Sequence, residues 1–283
     1  MNSLPTKHIS LSDYKRIINE IKDNRGVDLS KYTIPILKRR MEIFYENRFS
    51  YVSIHKFLNR LLNKDDIFES FLNFITMPTT EMFRDPIFWK IFRDRTIKAI
   101  QRDTSHLKIW VPQINSADDE LITIAIVLYE LNLFDNVEIV ATSPFSVVLK
   151  AYKESIYIPQ KKFIISNDNY LIYNDLGNFG DYFVKNGEYY VLKNFLLKNI
   201  KFEKFDFIDD IQTEKFNLIF FRNRMLFFNL ELYNLALEKV NHALDRNGYL
   251  IIGYNETLER WQGSVNYMCI EKGENIFRKK LIE

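Results

Sequence analysis

Two arginines and a pair of acids are the residues of this sequence best suited to chemistry. Arg84 lies in "ITMPTTEMFRDPIFW" (75–89), four residues after Thr80. An arginine fork can hold a carboxylate through two parallel hydrogen bonds, whether on a ligand or on a reacting group. The bland alternative is a surface arginine after a helix N-cap. Arg222 and Asn223 follow the apolar run "FNLIFF". Polar residues at the carboxyl end of a parallel strand stand where such folds bind ligands, and a buried Arg-Asn pair there needs partners. Equally, the pair could cap the helix that follows. Between these segments, "LKIWVPQINSADDELITIAIVLYE" (107–130) reads as a buried strand, a turn and an amphipathic helix, with Asp119 and Glu120 at the helix start. Many folds hold a nucleotide-like ligand at such a turn, where glycine lets it lie against bare backbone. This turn has none. The chain has 8 glycines, with none between Gly26 and Gly177, where average usage over the whole length would give roughly 20. Without a ligand, Ser116 with Asp119 would make a capping box, and acids favour a helix N-terminus in any case.

Other chemistries find little support. His8, His55, His106 and His242 have no metal-ligand spacing, and Cys269 is the single cysteine, so no zinc site is expected. Neither a Gly-x-Ser-x-Gly elbow nor a phosphate loop is present. A net charge of +2 gives no argument for nucleic acid or a membrane surface as partner. One cysteine also fits a reducing compartment. No apolar run reaches the ~20 residues a bilayer requires, and "MNSLPTKHIS" lacks the apolar core of a signal peptide. A cytoplasmic protein without membrane insertion is expected.

The elements that must position these residues fall into two regions. Residues 10 to 75 carry four helical patterns. The first places Tyr14, Ile17, Ile18 and Ile21 on one face and stops at Gly26. From Trp110 onward strands and helices alternate. Strand-length apolar runs at 107–111, 137–142, 216–221 and 248–254 are joined by helices, one from about Ser116 to Leu131 and one carrying Tyr233, Ala236, Leu237, Val240 and Leu244. Such alternation predicts an α/β fold with a doubly wound, mostly parallel sheet. Within it, "SIYIP", "KKFIIS", "YLIY" and "EYYVL" read as a small antiparallel β insertion over 155–200. The expected division is a helical domain over 1–78 and an α/β domain over 79–283.

In this order, the 75–89 segment, the strand–turn–helix and "FNLIFFRNRMLFF" resemble the CheR-type chemotaxis receptor methyltransferases, over nearly the whole chain. The resemblance implies a Rossmann-like sheet and an S-adenosylmethionine-dependent enzyme that methylates glutamates on chemoreceptor cytoplasmic domains. It assigns cofactor support to a Thr-x-Phe-Phe-Arg segment, matched by Thr80, Phe83 and Arg84 with Met82 in place of the first Phe, and a catalytic role to Arg84. Its late motif, Cys-Arg-Asn-Val-Leu-Ile-Tyr-Phe, is matched at Arg222 and Asn223, with Phe227 where the tyrosine stands. Of its Gly-His-Ser-Glu turn, Gly253 and Glu256 are kept in "GYNET". Asp119 and Glu120 would meet the cofactor's ammonium, and Asp206 joins the cofactor-binding positions.

Two departures bear on the cofactor. Gln113, Ile114 and Asn115 stand where the family has small residues. Ser143, in "VATSPFS", takes the place of the acid that accepts hydrogen bonds from the ribose. Charge-assisted bonds are roughly twice as strong as neutral ones, so this loss would weaken cofactor binding by about one to two orders of magnitude. An alternative follows: a catalytically silent relative kept as a binding module in a signalling pathway. A nucleic-acid methyltransferase is a third reading, opposed by the small net charge and the missing Asn/Asp-Pro-Pro-Tyr/Phe motif. In the family a basic N-terminal helix faces the receptor and the β insertion pairs with a receptor peptide. Here residues 30 to 60 carry seven Lys/Arg against two Asp/Glu, and docking through these helices is expected; a merely solvated face is the alternative.

Overall fold

The computed structural model describes residues 9–76, 80–104, 106–115 and 119–280. The chain forms two compact units: Met1–Pro78 with Met225–Asn234, and Thr79–Arg224 with Leu235–Glu283. In the first, α1 (Leu11–Arg25), α2 (Ile34–Phe49), α3 (Ile54–Asn63) and α4 (Asp65–Thr76) follow the helical patterns of the sequence. The Ser10 hydroxyl caps α1 by accepting from Asp13 N, and Gly26 ends it at φ 68°. Tyr14, Ile17 and Ile21 are buried. Phe44, Phe49, Phe57 and Phe71 form an aromatic core. Five of the seven basic residues between 30 and 60 are engaged inside this unit. Lys31 pairs with Glu231, Lys38 with Glu42, Arg40 donates to the Phe74 carbonyl, and Arg48 and Arg60 donate to the Ser70 and Tyr51 hydroxyls.

The second unit is built on a seven-stranded sheet in the order β6-β2-β1-β7-β8-β10-β9. Its strands are β1 (Leu107–Val111), β2 (Val137–Ser143), β6 (Ile200–Lys204), β7 (Phe216–Phe221), β8 (Leu244–Ile252), β9 (Tyr267–Glu271) and β10 (Ile276–Lys279). β10 alone of these strands runs antiparallel to both of its neighbours. Strands β1, β2, β7 and β8 are buried on both faces, so they read as continuous apolar runs. α5 (Pro86–Ile91), a π-helical turn (Phe92–Thr96) and α6 (Ile97–Asp103) precede the sheet. α7 (Asp119–Glu130) follows β1 and is buried from Leu121 through Leu128. α8 (Ser146–Lys153) follows β2, and α10 (Leu230–Ala243) precedes β8.

The insertion corrects the sequence reading in one respect. β3 (Tyr157–Pro159), β4 (Phe183–Asn186) and β5 (Tyr189–Leu192) form the expected antiparallel sheet, with β5 central. "KKFIIS" and "YLIY", however, are not strands; they lie in one helix, α9 (Gln160–Tyr173). Its buried positions, Phe163, Ser166, Tyr170 and Tyr173, have helical spacing. Ile164, Ile165, Leu171 and Ile172 are exposed on other faces. Apolar residues on several faces erase the amphipathic signal and leave short runs of strand length.

The insertion closes around Glu130, at the end of α7. The hydroxyls of Tyr170, Tyr173 and Tyr182 all donate to its carboxylate, at 2.5, 2.9 and 2.9 Å. Burial, with the Glu130 charge adding to it, holds all three phenols above their ordinary pKa of 10.0. A raised folded-state pKa favours the proton-bound native state. The resulting stability is fully present below pH 10 and is lost as pH climbs beyond it. An alkaline titration should therefore show these tyrosines ionising only with loss of structure. Tyrosinate absorbance rising well before the circular dichroism changes would contradict this.

Candidate functional site

At the carboxyl edge of the parallel strands the sequence motifs come together. Beyond β1 the chain bends through Gln113, which takes φ 56°. That left-handed conformation costs an L-residue about 1–2 kcal/mol and is ordinarily left to glycine. The bend is thus glycine's in backbone but not in side chain. Gln113, Ile114 and Asn115 are all buried, and Ile114 N donates to the Thr142 carbonyl at 2.9 Å. Ser116, and with it the capping box, lies outside the described residues. Because the strain at 113 belongs to any side chain, Gln113→Gly should prove about 1 kcal/mol more stable than Gln113→Ala in urea denaturation. Equal stability would mean that the bend relaxes.

The acids at the head of α7 face cations from elsewhere in the unit. Asp119, 2% exposed, pairs with Lys162 Nζ of α9 at 2.7 Å. Glu120 lies 3.3 Å from Arg222 Nη1 and 3.7 Å from Arg224 Nη2. Arg222, 5% exposed, also reaches Asp85 Oδ2 at 2.9 Å and lies 4.0 Å over the Phe88 ring. One buried guanidinium therefore joins the 80–85 segment, the head of α7 and the end of β7.

The next residue ties β7 to β8. Asn223 sits at φ 59°, and its N–H donates to Glu256 Oε2 at 2.7 Å. Gly253 N donates to the same oxygen at 2.6 Å. A Cβ on Gly253 would stand 2.5 Å from Asn223 Oδ1, so nothing larger fits. The pair Arg222-Asn223 does not cap a helix; each member crosses to another segment.

The remaining expected residues are more scattered. Ser143 is fully buried at the end of β2, its hydroxyl accepting from Phe145 N at 3.4 Å. Asp206, just past β6, accepts from Ile208 N at 2.7 Å. Burial raises its carboxyl pKa, with Asp209 and Asp210 adding to the effect. Thr80 is half-buried, and Arg84 is exposed, its carbonyl accepting from Trp89 Nε1. The segment they share is held by its main chain. Met82 N donates to Ser166 Oγ at 3.1 Å, Met82 O accepts from Asn169 Nδ2 at 3.1 Å, and Phe83 N donates to Thr123 Oγ1 at 3.0 Å. Phe83 and Asp85 both have positive φ, 55° and 60°.

Sequence reasoning missed Asp85, Lys162, Ser166 and Asn169. Asp85 carried a weak signal, an acid immediately before the proline that opens a helix. The other three carried none while 161–166 and 170–173 read as strands, with Asn169 between them.

Among known proteins, the family model described as CheR methyltransferase, SAM binding domain, matches residues 78–273. Cher3 of Pseudomonas putida, which bears the name of a methyltransferase, is 25% identical over 267 residues, covering 94% of this chain and 96% of its own. A chemotaxis protein methyltransferase of Borreliella burgdorferi is 27% identical over 267 residues, covering 89% of this chain and 90% of its own. One of Listeria innocua is 24% identical over 247 residues, covering 87% and 90%.

Proposed function

Given that this chain belongs to the CheR methyltransferase family, we propose that it methylates glutamate side chains on the cytoplasmic domains of chemoreceptors, using S-adenosylmethionine. The ion cluster of Asp85, Arg222 and Glu120 supports this reading most, because it joins the three motif segments at one sheet edge.

The donor set fits the cofactor with one place short. Asp206 offers an acceptor beyond the oxygen used by Ile208 N. Asp119 and Glu120 supply negative charge beside the bend, whose backbone keeps the glycine conformation at Gln113. Ser143 is the shortfall: its hydroxyl is buried and brings no charge. Cofactor affinity is accordingly lower than an acid at that position would give. When bound, the cofactor supplies a methyl group activated on a sulfonium centre.

The chain's own residues then have the task of alignment. A substrate carboxylate is already ionised at neutral pH, so no general base is needed and positioning supplies most of the advantage. Arg84, exposed on the segment that also carries Asp85, is the cation for the incoming carboxylate. Arg222, held between two acids, fixes that segment against β7. Arg39 and Lys56 are exposed on the first unit and remain for an acidic receptor surface.

Incubation with methyl-labelled cofactor and receptor cytoplasmic fragments tests the reading. Alkali-labile label on the receptor is expected, since carboxyl methyl esters release methanol in base. The absence of label, together with no calorimetric heat up to millimolar S-adenosylhomocysteine, would overturn it.

A further inference from the structure

We propose that helix α9 of the insertion positions the candidate site, through one stripe of side chains formed by Lys162, Ser166 and Asn169. Their spacing of four and three residues places them on one helix face. Ser166 and Asn169 take both polar groups of a single residue, the N–H and the carbonyl of Met82. Lys162 takes Asp119, the first residue of α7. Thr123 completes the clamp: it accepts from Phe83 N and donates to the Asp119 carbonyl at 2.6 Å.

What is clamped is strained. Phe83 and Asp85 flank Arg84 in the left-handed region, a conformation that persists only where its surroundings over-determine it. Asp85 in turn meets Arg222. A continuous path therefore runs from α9 through Met82 to the ion cluster.

The choice of residues argues the same way. Ser166 is fully buried within a helix, where serine is a poorer helix former than alanine and hides a hydroxyl that must find a partner. A helix made only for packing would carry alanine there. The polar stripe serves the 82–85 segment at the expense of the helix's own stability.

This inference rests on the methyltransferase reading for its catalytic consequence but not for its structural one. The test uses the full chain with Ser166→Ala, the double variant Ser166→Ala/Asn169→Ala, Lys162→Met and Lys162→Arg. Amide hydrogen exchange at Met82 and Phe83 reads the clamp without any cofactor, and urea denaturation reads global stability. In Ser166→Ala, Met82 exchange should accelerate by about tenfold or more, beyond any change in global unfolding. In the double variant, kcat should fall by about tenfold or more while KM for a receptor fragment stays within about twofold, because alignment and not docking is lost. Lys162→Met should show the same split, and Lys162→Arg should restore most of kcat. If the double variant does not fold, the lysine pair decides, since the Lys162 side chain is 24% exposed and tolerates exchange better than the fully buried Ser166.

Met82 exchange that follows global unfolding alone would overturn the proposal. So would losses in kcat that arginine at 162 fails to rescue. A wild-type chain without methyl transfer would sink the functional reading, and Met82 exchange would still decide the clamp.

Discussion

Replacing Arg222 with methionine should cost about 3 kcal/mol of stability and abolish methyl transfer. The side chain is 5% exposed and bridges Asp85 and Glu120. Methionine also removes the guanidinium that lies 4.0 Å over the Phe88 ring, so the loss reports the whole cation. Removing one partner of a buried ion pair typically costs about 3–5 kcal/mol, because the other charge is left without compensation. The lower end applies here, for two reasons. Arg224 remains 3.7 Å from Glu120, and the Asp85 side chain, 40% exposed, can turn towards water. Lysine should not rescue, since a point charge cannot serve two carboxylates as a fork does. Urea denaturation followed by circular dichroism measures the loss. A cost below about 1 kcal/mol would mean that the cluster is solvated and does not hold the three segments together.

Glu256→Ala is expected to cost more still. One carboxylate oxygen accepts from Asn223 N and Gly253 N, at 2.7 and 2.6 Å. Hydrogen bonds to a charged group contribute about 1.5–3 kcal/mol each, and a buried donor stripped of its acceptor costs a similar amount. Two such donors give about 3–6 kcal/mol. Asn223 would also lose the bond that holds it at positive φ. Glu256→Gln keeps an acceptor oxygen without the charge and should recover about half. Thermal or urea unfolding of the two variants provides the comparison. Equal stability of Glu256→Ala and wild type would show that solvent replaces the carboxylate.

The difference between what could and could not be read from the sequence has a physical origin. β1, β2, β7 and β8 are central, buried on both faces, and so announce themselves as apolar runs. β6, "IKFEK", lies at a sheet edge and is largely exposed. Edge strands carry charge and little burial, which removes the pattern. β9 and β10 were missed for a related reason, being short strands with exposed or half-exposed positions.

α9 failed differently. Its apolar residues are strong, but they point in several directions, so period and run length disagreed. The site divided along the same line. Arg222, Asn223, Gly253 and Glu256 were visible as motif positions, and Asp119 and Glu120 as acids at a helix start. Their partners were not, because Asp85 lies 137 residues from Arg222, and no local rule links residues so far apart. Backbone state was equally hidden: nothing in "VPQIN" says that glutamine takes glycine's conformation.

The tyrosine cluster on Glu130 has a consequence for how this architecture can be rearranged. α9 and the loop after it are fastened to both ends of α7, by Lys162 on Asp119 at one end and by three phenols on Glu130 at the other. The insertion is therefore no interchangeable cassette. A chimera that imports residues 155–200 from a homologue must import the matching acceptors on α7 as well, or it will strand a lysine and three hydroxyls. Lineages that exchange this segment must do so by co-substitution across both helices, and swapped proteins that ignore the pairing should emerge from expression misassembled.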